Sequence, residues 1–407
     1  MNEIEEQVLI LMNGSEYGDD GIKTMMTEEL KTRLIESRSE SRPLEVYCGY
    51  DVTAPDLHLG HTITMRKLRQ FQEFGHNVTF LIGTFTTLIG DPSDREHERA
   101  TALPESIRKN AETYAEQAFK ILDREKTSIR YNHEWLGSLS LSDVINMSSH
   151  FTVQQFINRD RLRKRLENNE PLWLKELLYP LAQGYDAVSL KSDVQIGATE
   201  QLFNLMIGRK LQQVFNQKPQ ICITFPVLTG TDGKMRMSKS QGNYIGIDEA
   251  PEEQYGKIMS LPDELIIHYF NLVTRWTPEQ IQSLERNIDD GSEHPMEVKK
   301  KLAWEIVDSL YGKESANAAA SHFTRVHQDR GIPADIPVFI MDKPVNIIDL
   351  LVETGISKSK SEARRAIHER SVRIDGKVIN KVDYLVNKED SVLQRGKRKF
   401  IHLTVKE

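Results

Sequence analysis

Two short segments constrain what this 407-residue chain can fold into: His58-Leu59-Gly60-His61 and, far downstream, Met237-Ser238-Lys239-Ser240. The first follows EVYCGY (45–50), an apolar run that reads as a buried strand. It opens a stretch from Leu57 to Phe74 with apolar residues at helical spacing, and Pro55 and Asp56 are its start signals. The second segment lies in GKMRMSKSQGN, a flexible stretch between Gly233 and Gly242 beyond several more strands. A helix N-terminus supplies free N–H groups and a dipole that favours phosphate. The two segments together would set two imidazoles and one lysine around a polyphosphate. Those groups suit a reaction that needs positioning and electrostatic stabilisation rather than a nucleophile.

Strand and helix signals alternate through the first half. NVTFLIG, SIRYN (128–132) and ICITFPVL (221–228) read as strands, with helical stretches such as 104–122 and 152–168 between them. Alternation of this kind implies a parallel, doubly wound sheet, in which ligands bind beyond the carboxyl ends of the strands. His58–His61 falls at such an end. The expected class is therefore α/β: a Rossmann-like parallel-sheet domain over 1–247. An all-α domain should follow over 248–329, broken at Pro262, Pro278 and Pro295. RGIPADIPVFIMDKP (330–344) reads as a linker, and 345–407 as a small α+β module with two helical segments before short strands.

The net charge is −7, yet residues 345–407 hold 14 Lys and Arg against 9 Asp and Glu. A basic module on an acidic body suggests an anionic partner for the module. No apolar run approaches the ~20 residues that a membrane helix needs. The N-terminus MNEIEEQVLILMNGSEYGDD is acidic and lacks a basic signal-peptide start, so a cytoplasmic protein is expected. Cys48 and Cys222 form no metal-ligand pattern and read as reduced core thiols, and no structural metal is expected.

The HLGH and MSKS segments, in this order and on these elements, resemble the two signatures of class I aminoacyl-tRNA synthetases. Four further segments narrow the resemblance to the tyrosyl-tRNA synthetase family of bacterial type, and it runs through nearly the whole chain. They are Val46–Asp51 with Thr53 following, Leu88–Ser93, Tyr179–Asp186 and Gln195–Gln201. The resemblance implies adenylate formation from L-tyrosine and ATP with Mg²⁺, then transfer of the tyrosyl group to the 3′ end of tRNA(Tyr). Tyr47 and Asp186 would read the substrate phenol, while Asp91, Tyr179 and Gln183 would hold the ammonium. Gln195 and Gln201 would line the amino-acid site. Asp51, His58, Gly60, His61, Glu200, Met237 and Lys239 would meet ATP, and Thr53, Arg236, His58, His61 and Lys239 would act on the phosphates. Spacings of four and seven put Tyr179, Gln183 and Asp186 on one helical face. The tail, with Ser-Lys-Ser-Glu-Ala-Arg-Arg at 359–365, resembles an S4-type RNA-binding domain. Lys358, Lys360, Arg364 and Arg365 would there contact tRNA. The resemblance also implies a homodimer, with the insertion at about 125–185 contributing to the interface.

The chain departs from the family pattern in places. Glu200 stands where Asp is common, Ala198 where Gly is common, and Arg236 where the second signature usually has its first Lys. Asp94-Arg95 replaces a frequent Gly-Lys, so Arg95 and Arg99 are the candidates for a further phosphate contact. Two alternatives stay open here. One is the tryptophan-specific sibling, against which Tyr47, Asp186 and the S4-like tail stand. The other is a synthetase-like paralogue that binds structured RNA without charging it.

Overall fold

In the computed structural model, five parallel strands form the sheet that positions the site. They are β1 (Glu45–Asp51), β2 (Asn77–Gly83), β3 (Thr127–Tyr131), β4 (Val194–Ala198) and β5 (Ile221–Phe225). Their order is β3-β2-β1-β4-β5. Tyr47 pairs with Thr79 on one side and Gln195 on the other, so the order reverses between β1 and β4. A crevice at such a reversal is where doubly wound sheets place ligands. The structure describes residues 3–53, 55–92, 104–328, 336–341, 344–386, 391–396 and 399–405. The chain divides into two compact units, Met1–Ala319 and Ala320–Glu407.

β1, β2, β4 and β5 are largely buried on both faces, as a parallel sheet covered by helices requires, whereas the edge strand β3 alternates half-buried and exposed residues. Val46, Tyr47, Cys48, Phe80, Leu81, Ile82, Ile196 and Ile221–Ile223 are all buried. Cys48 and Cys222 are free thiols within this core. The sequence pattern did not single out β4, because a buried Gln195 interrupts its apolar run. β5 stops at Phe225 rather than Leu228, since Pro226 lacks the N–H that the ladder needs. The Asp193 carboxylate fixes the start of β4. It accepts from Arg33 and Arg42, each at 2.7 Å, and from the Glu45 N–H at 3.0 Å.

The expected helix at Leu57–Phe74 runs from Leu59 to Glu73, because His58 takes the cap position. The stretch 104–122 is helical over Pro104–Ala118. The stretch 152–168 splits into Val153–Ile157 and Asp160–Glu167. Arg159 lies extended between the two and turns its guanidinium to Asn204, 3.2 Å away.

Beyond Ile247 the first unit is helical among its described residues: Pro251–Met259, Ile266–Val273, Pro278–Asp289 and Pro295–Tyr311. Pro251, Pro278 and Pro295 stand at the first helical position, where the missing N–H costs nothing.

The second unit holds β6 (Val338–Met341), β7 (Val345–Asn346), β8 (Val372–Ile374), β9 (Lys377–Val378), β10 (Leu385–Val386), β11 (Ser391–Arg395) and β12 (Lys399–Val405). One sheet has the order β6-β12-β11-β8-β9, and β7 pairs with β10. Helices Ile347–Glu353 and Lys360–His368 pack Leu350, Leu351, Ala363 and Ile367 against Val372, Leu393 and Leu403. Val338–Met341 lies inside the stretch that reads as a linker, yet it pairs in parallel with β12 and buries Met341. No helix of the described residues is long and apolar enough to cross a membrane.

Candidate active site

The first turn of helix Leu59–Glu73 is built by its two histidines. His58 caps it: its Nδ1 accepts from the Gly60 N–H at 3.2 Å, and His61 Nδ1 accepts from the His58 N–H at 3.1 Å. The His61 Nδ1 is farther, 3.3 Å, from the His58 carbonyl. With both Nδ1 atoms accepting, each ring carries its proton on Nε2 and keeps that donor for a ligand. The rings lie 4.0 Å apart. A Cβ on Gly60 would sit 3.0 Å from the His58 ring and press on it. Burial holds both imidazoles neutral. It lowers His61 to about 4 and His58 well below its ordinary value, with Lys239 and Arg236 adding to the effect at His58.

The downstream signature is tied to this turn. The Leu59 N–H donates to the Ile245 carbonyl at 2.8 Å, and the Ile247 N–H to the Leu57 carbonyl at 3.1 Å. Lys239 reaches Asp56 Oδ2 at 3.2 Å and lies 5.8 Å from the centre of the Tyr244 ring. Asn243 staples the loop. Its Oδ1 accepts from the Ser238 N–H at 2.8 Å, and its Nδ2 donates to Asp232 at 3.0 Å and to the Arg236 carbonyl at 3.1 Å. Met237 is buried, with its N–H on the Leu228 carbonyl at 2.7 Å. These bonds give the stretch a defined conformation.

A second group gathers beside β1. Tyr47 is buried, and its hydroxyl has no hydrogen-bond partner. Asp186, on helix Leu174–Leu190, is also buried; it accepts from Trp135 Nε1 at 2.7 Å and from Asn132 at 3.3 Å. Burial raises its carboxyl to about 8 against the pull of those two donors. Asp51 accepts from Thr86 at 2.7 Å and from the Tyr179 hydroxyl at 2.9 Å. A Cβ on Gly83 would come within 2.3 Å of Asp51, so glycine keeps that space open. The Gln183 Oε1 is buried without a partner. Asp91 accepts from Gln201, which accepts in turn from Asn204 at 2.9 Å. Asp51, Asp91 and Asp186 all act on the buried Tyr179 phenol and raise its pKa, after burial itself. Gln195 sits behind this group, accepting from Gln220 at 2.5 Å.

The turn Thr199–Gln201, directly after β4, joins the two groups. Gln201 faces Asp91, whereas Glu200 accepts from Arg236 at 3.0 Å and from Arg161 at 2.6 Å. Thr53 is exposed just past β1. Arg95 and Arg99 lie outside the described residues. Sequence reasoning missed Asn132, Trp135, Thr86, Asn243 and Arg161. Asn132 directly follows β3, so its place at a strand's carboxyl end was a usable signal; the others carried none.

In the second unit Lys358, Lys360, Arg364 and Arg365 are exposed, at the start of helix Lys360–His368 and along it. Lys360 pairs with Asp349 at 2.6 Å. Arg395 donates to Ile356, Ser357 and Glu362, which fixes the turn into that helix.

Residues 39–328 match the tRNA synthetases class I (W and Y), and residues 329–403 match the tyrosine–tRNA ligase SYY-like C-terminal domain. The tyrosine–tRNA ligase of Thermotoga maritima is 45% identical over 401 residues, 98% of each chain. That of Geobacter metallireducens is 44% identical over 407 residues, 99% of this chain and 100% of its own. A tyrosyl-tRNA synthetase from Archaeoglobus fulgidus, solved with L-tyrosine, covers 78% of this chain and 100% of its own. Its TM-score is 0.61 at 21% identity, a likeness that speaks to the fold alone. The chain belongs to the class I tRNA synthetases, in their tyrosine–tRNA ligase family.

Proposed function

We infer that this chain is a tyrosine–tRNA ligase. It joins the carboxylate of L-tyrosine to the α-phosphate of ATP, releases pyrophosphate, and passes the tyrosyl group to the 3′ end of tRNA(Tyr) with release of AMP. The observation that carries the amino-acid assignment is the pair of buried polar groups beside β1. The Tyr47 hydroxyl is unpartnered, and Asp186 is oriented by Trp135 and Asn132. Each Asp186 oxygen accepts only one bond, so the group keeps the capacity to accept from a phenol. A buried hydroxyl left unpaired costs about 1–3 kcal/mol, which a ligand phenol between Tyr47 and Asp186 would relieve. Asp91, Tyr179 and Gln183 are the groups we assign to the ammonium, with Asp51, Gln195 and Gln201 supporting them.

His58 and His61 act as neutral Nε2–H donors to the phosphates, and Lys239 and Arg236 supply the positive charge. Donors and cations aimed at developing charge are what phosphoryl chemistry requires. Mg²⁺ enters bound to the ATP phosphates. Among the described residues no cluster of three His, Cys, Asp or Glu is arranged to hold a metal.

The segment 248–329 is proposed to face the anticodon side, and 345–407 to grip tRNA through Lys358, Lys360, Arg364 and Arg365 in an S4-like fold. A homodimer is proposed through the segment around 140–180, which exposes Leu141, Ile145, Val153, Trp173 and Leu174. Exposed apolar side chains at this density mark interaction surfaces. We assign the enzyme to the cytoplasm, where tRNA is charged. Tyrosine-dependent ATP–pyrophosphate exchange by the purified chain tests the reading. Exchange with tryptophan instead, or none with any amino acid, would overturn it.

A further inference from the structure

Two of the departures from the family pattern, Glu200 and Arg236, touch each other. Arg236 Nη1 lies 3.0 Å from Glu200 Oε2, while Arg161 Nη2 takes Glu200 Oε1 at 2.6 Å. One carboxylate is thus gripped on both oxygens by two guanidiniums from different elements. Arg161 comes from the first turn of helix Asp160–Glu167, and Arg236 from the signature loop. Glu200 itself is held on the turn that follows β4, beside Gln201 and its bond to Asp91. An Asp at position 200 would be one methylene short of spanning this gap.

As a surface ion pair the Arg161 contact would contribute little to stability, since the Arg161 side chain is 42% exposed. Its geometry has a different consequence. Glu200 is only 23% exposed and sits where the amino-acid and phosphate groups of the site meet. Its second oxygen can pass to the nucleotide only if the carboxylate stays in place when Arg236 leaves it. Arg161 is the group that keeps it there. The two guanidiniums also leave one net positive charge beside a site for a polyanion.

Resting on the reading that this site binds ATP, we propose that Arg161 is a positioning residue for the nucleotide. It fixes Glu200 so that this carboxylate retains the signature loop through Arg236 until ATP arrives. Glu200 then exchanges Arg236 for the nucleotide and frees the guanidinium for the phosphates. Glu200 and Arg236 form one matched device in place of two independent losses.

The test is ATP–pyrophosphate exchange in Arg161→Gln, Arg161→Lys, Glu200→Gln and the Arg161→Gln/Glu200→Gln double variant. Losing one charge-assisted hydrogen bond corresponds to roughly a tenfold change. Arg161→Gln should therefore raise the ATP KM about tenfold with tyrosine KM near wild type, and Arg161→Lys should recover part of it. In the Glu200→Gln background the same change should add less than about twofold, because the two residues act in series. An equal rise in both backgrounds, a rise in tyrosine KM instead, or no rise would overturn the proposal. A second arm needs no substrate: amide hydrogen exchange across 228–243 should quicken in Glu200→Gln. Unchanged protection there would refute the hold on the loop. If the wild-type chain shows no tyrosine-dependent exchange, the ligase reading fails by itself, and the amide arm still decides whether Glu200 restrains the loop.

Discussion

The Tyr179 hydroxyl donates to Asp51 Oδ2 at 2.9 Å, joining helix Leu174–Leu190 to the carboxyl end of β1. Thr86 takes the other oxygen of Asp51 at 2.7 Å, so the carboxylate is fixed on both sides. Tyr179 also faces Asp91 and Asp186, which makes it the shared neighbour of three carboxylates in the pocket. Tyr179→Phe removes the donor and leaves Asp51 and the proposed ammonium site poorly held. Tyrosine affinity should fall roughly tenfold, the scale of one charge-assisted hydrogen bond. Equilibrium dialysis with labelled tyrosine checks this, and an unchanged dissociation constant would remove Tyr179 from the amino-acid site.

Lys239→Ala and His58→Ala should each slow adenylate formation by about 10²-fold or more, the usual scale for losing a transition-state donor. Neither residue touches the Tyr47–Asp186 group, so tyrosine binding should change little. Single-turnover kinetics separate the two effects. A variant with normal activation and weakened tyrosine binding would contradict the assignment.

Burial lowers His61 to about 4, from 6.5 in the unfolded chain. The folded value is the lower one, so the stability His61 contributes is complete above 6.5. It declines as the pH falls from 6.5 towards 4, where the unfolded chain takes a proton that the folded one refuses. Urea midpoints measured between pH 7 and pH 4.5 should fall less steeply in His61→Gln than in the wild type. Identical slopes would mean that the imidazole is not held neutral.

A chain cut near residue 335 keeps every residue assigned to adenylation. Exchange of pyrophosphate should persist while charging of tRNA collapses. Phosphate contacts release counterions, so tRNA binding to the intact chain should weaken steeply with salt, and binding to the truncated chain less so. Full charging by the truncated chain at moderate salt would show that the module is not the tRNA grip.

The scaffold of the site was legible where it rests on local signals. Strand-then-helix periodicity located β1, β2, β3, β5 and the helix behind His58, and the alternation implied the parallel sheet. β4 escaped because its buried Gln195 broke the apolar run, and β6 because its prolines and neighbours read as a linker. Partners brought in from elsewhere in the fold were invisible. Trp135 and Asn132 orient Asp186 from more than fifty residues away, and Arg161 meets Glu200 across 39 positions. Such pairings depend on sheet order, which no local pattern encodes. The bonds that Asn243 makes to the Lys239 loop, from five residues beyond Ser238, were invisible for a related reason.

The central claim is that Tyr47 and Asp186 read the substrate phenol. The measurement that tests it most directly is the ratio of kcat/KM for tyrosine over phenylalanine in ATP–pyrophosphate exchange. The wild type should favour tyrosine strongly, because phenylalanine leaves both buried groups unpaired. Tyr47→Phe and Asp186→Asn should each lower tyrosine activation and narrow the ratio. A ratio unchanged in both variants would contradict the account.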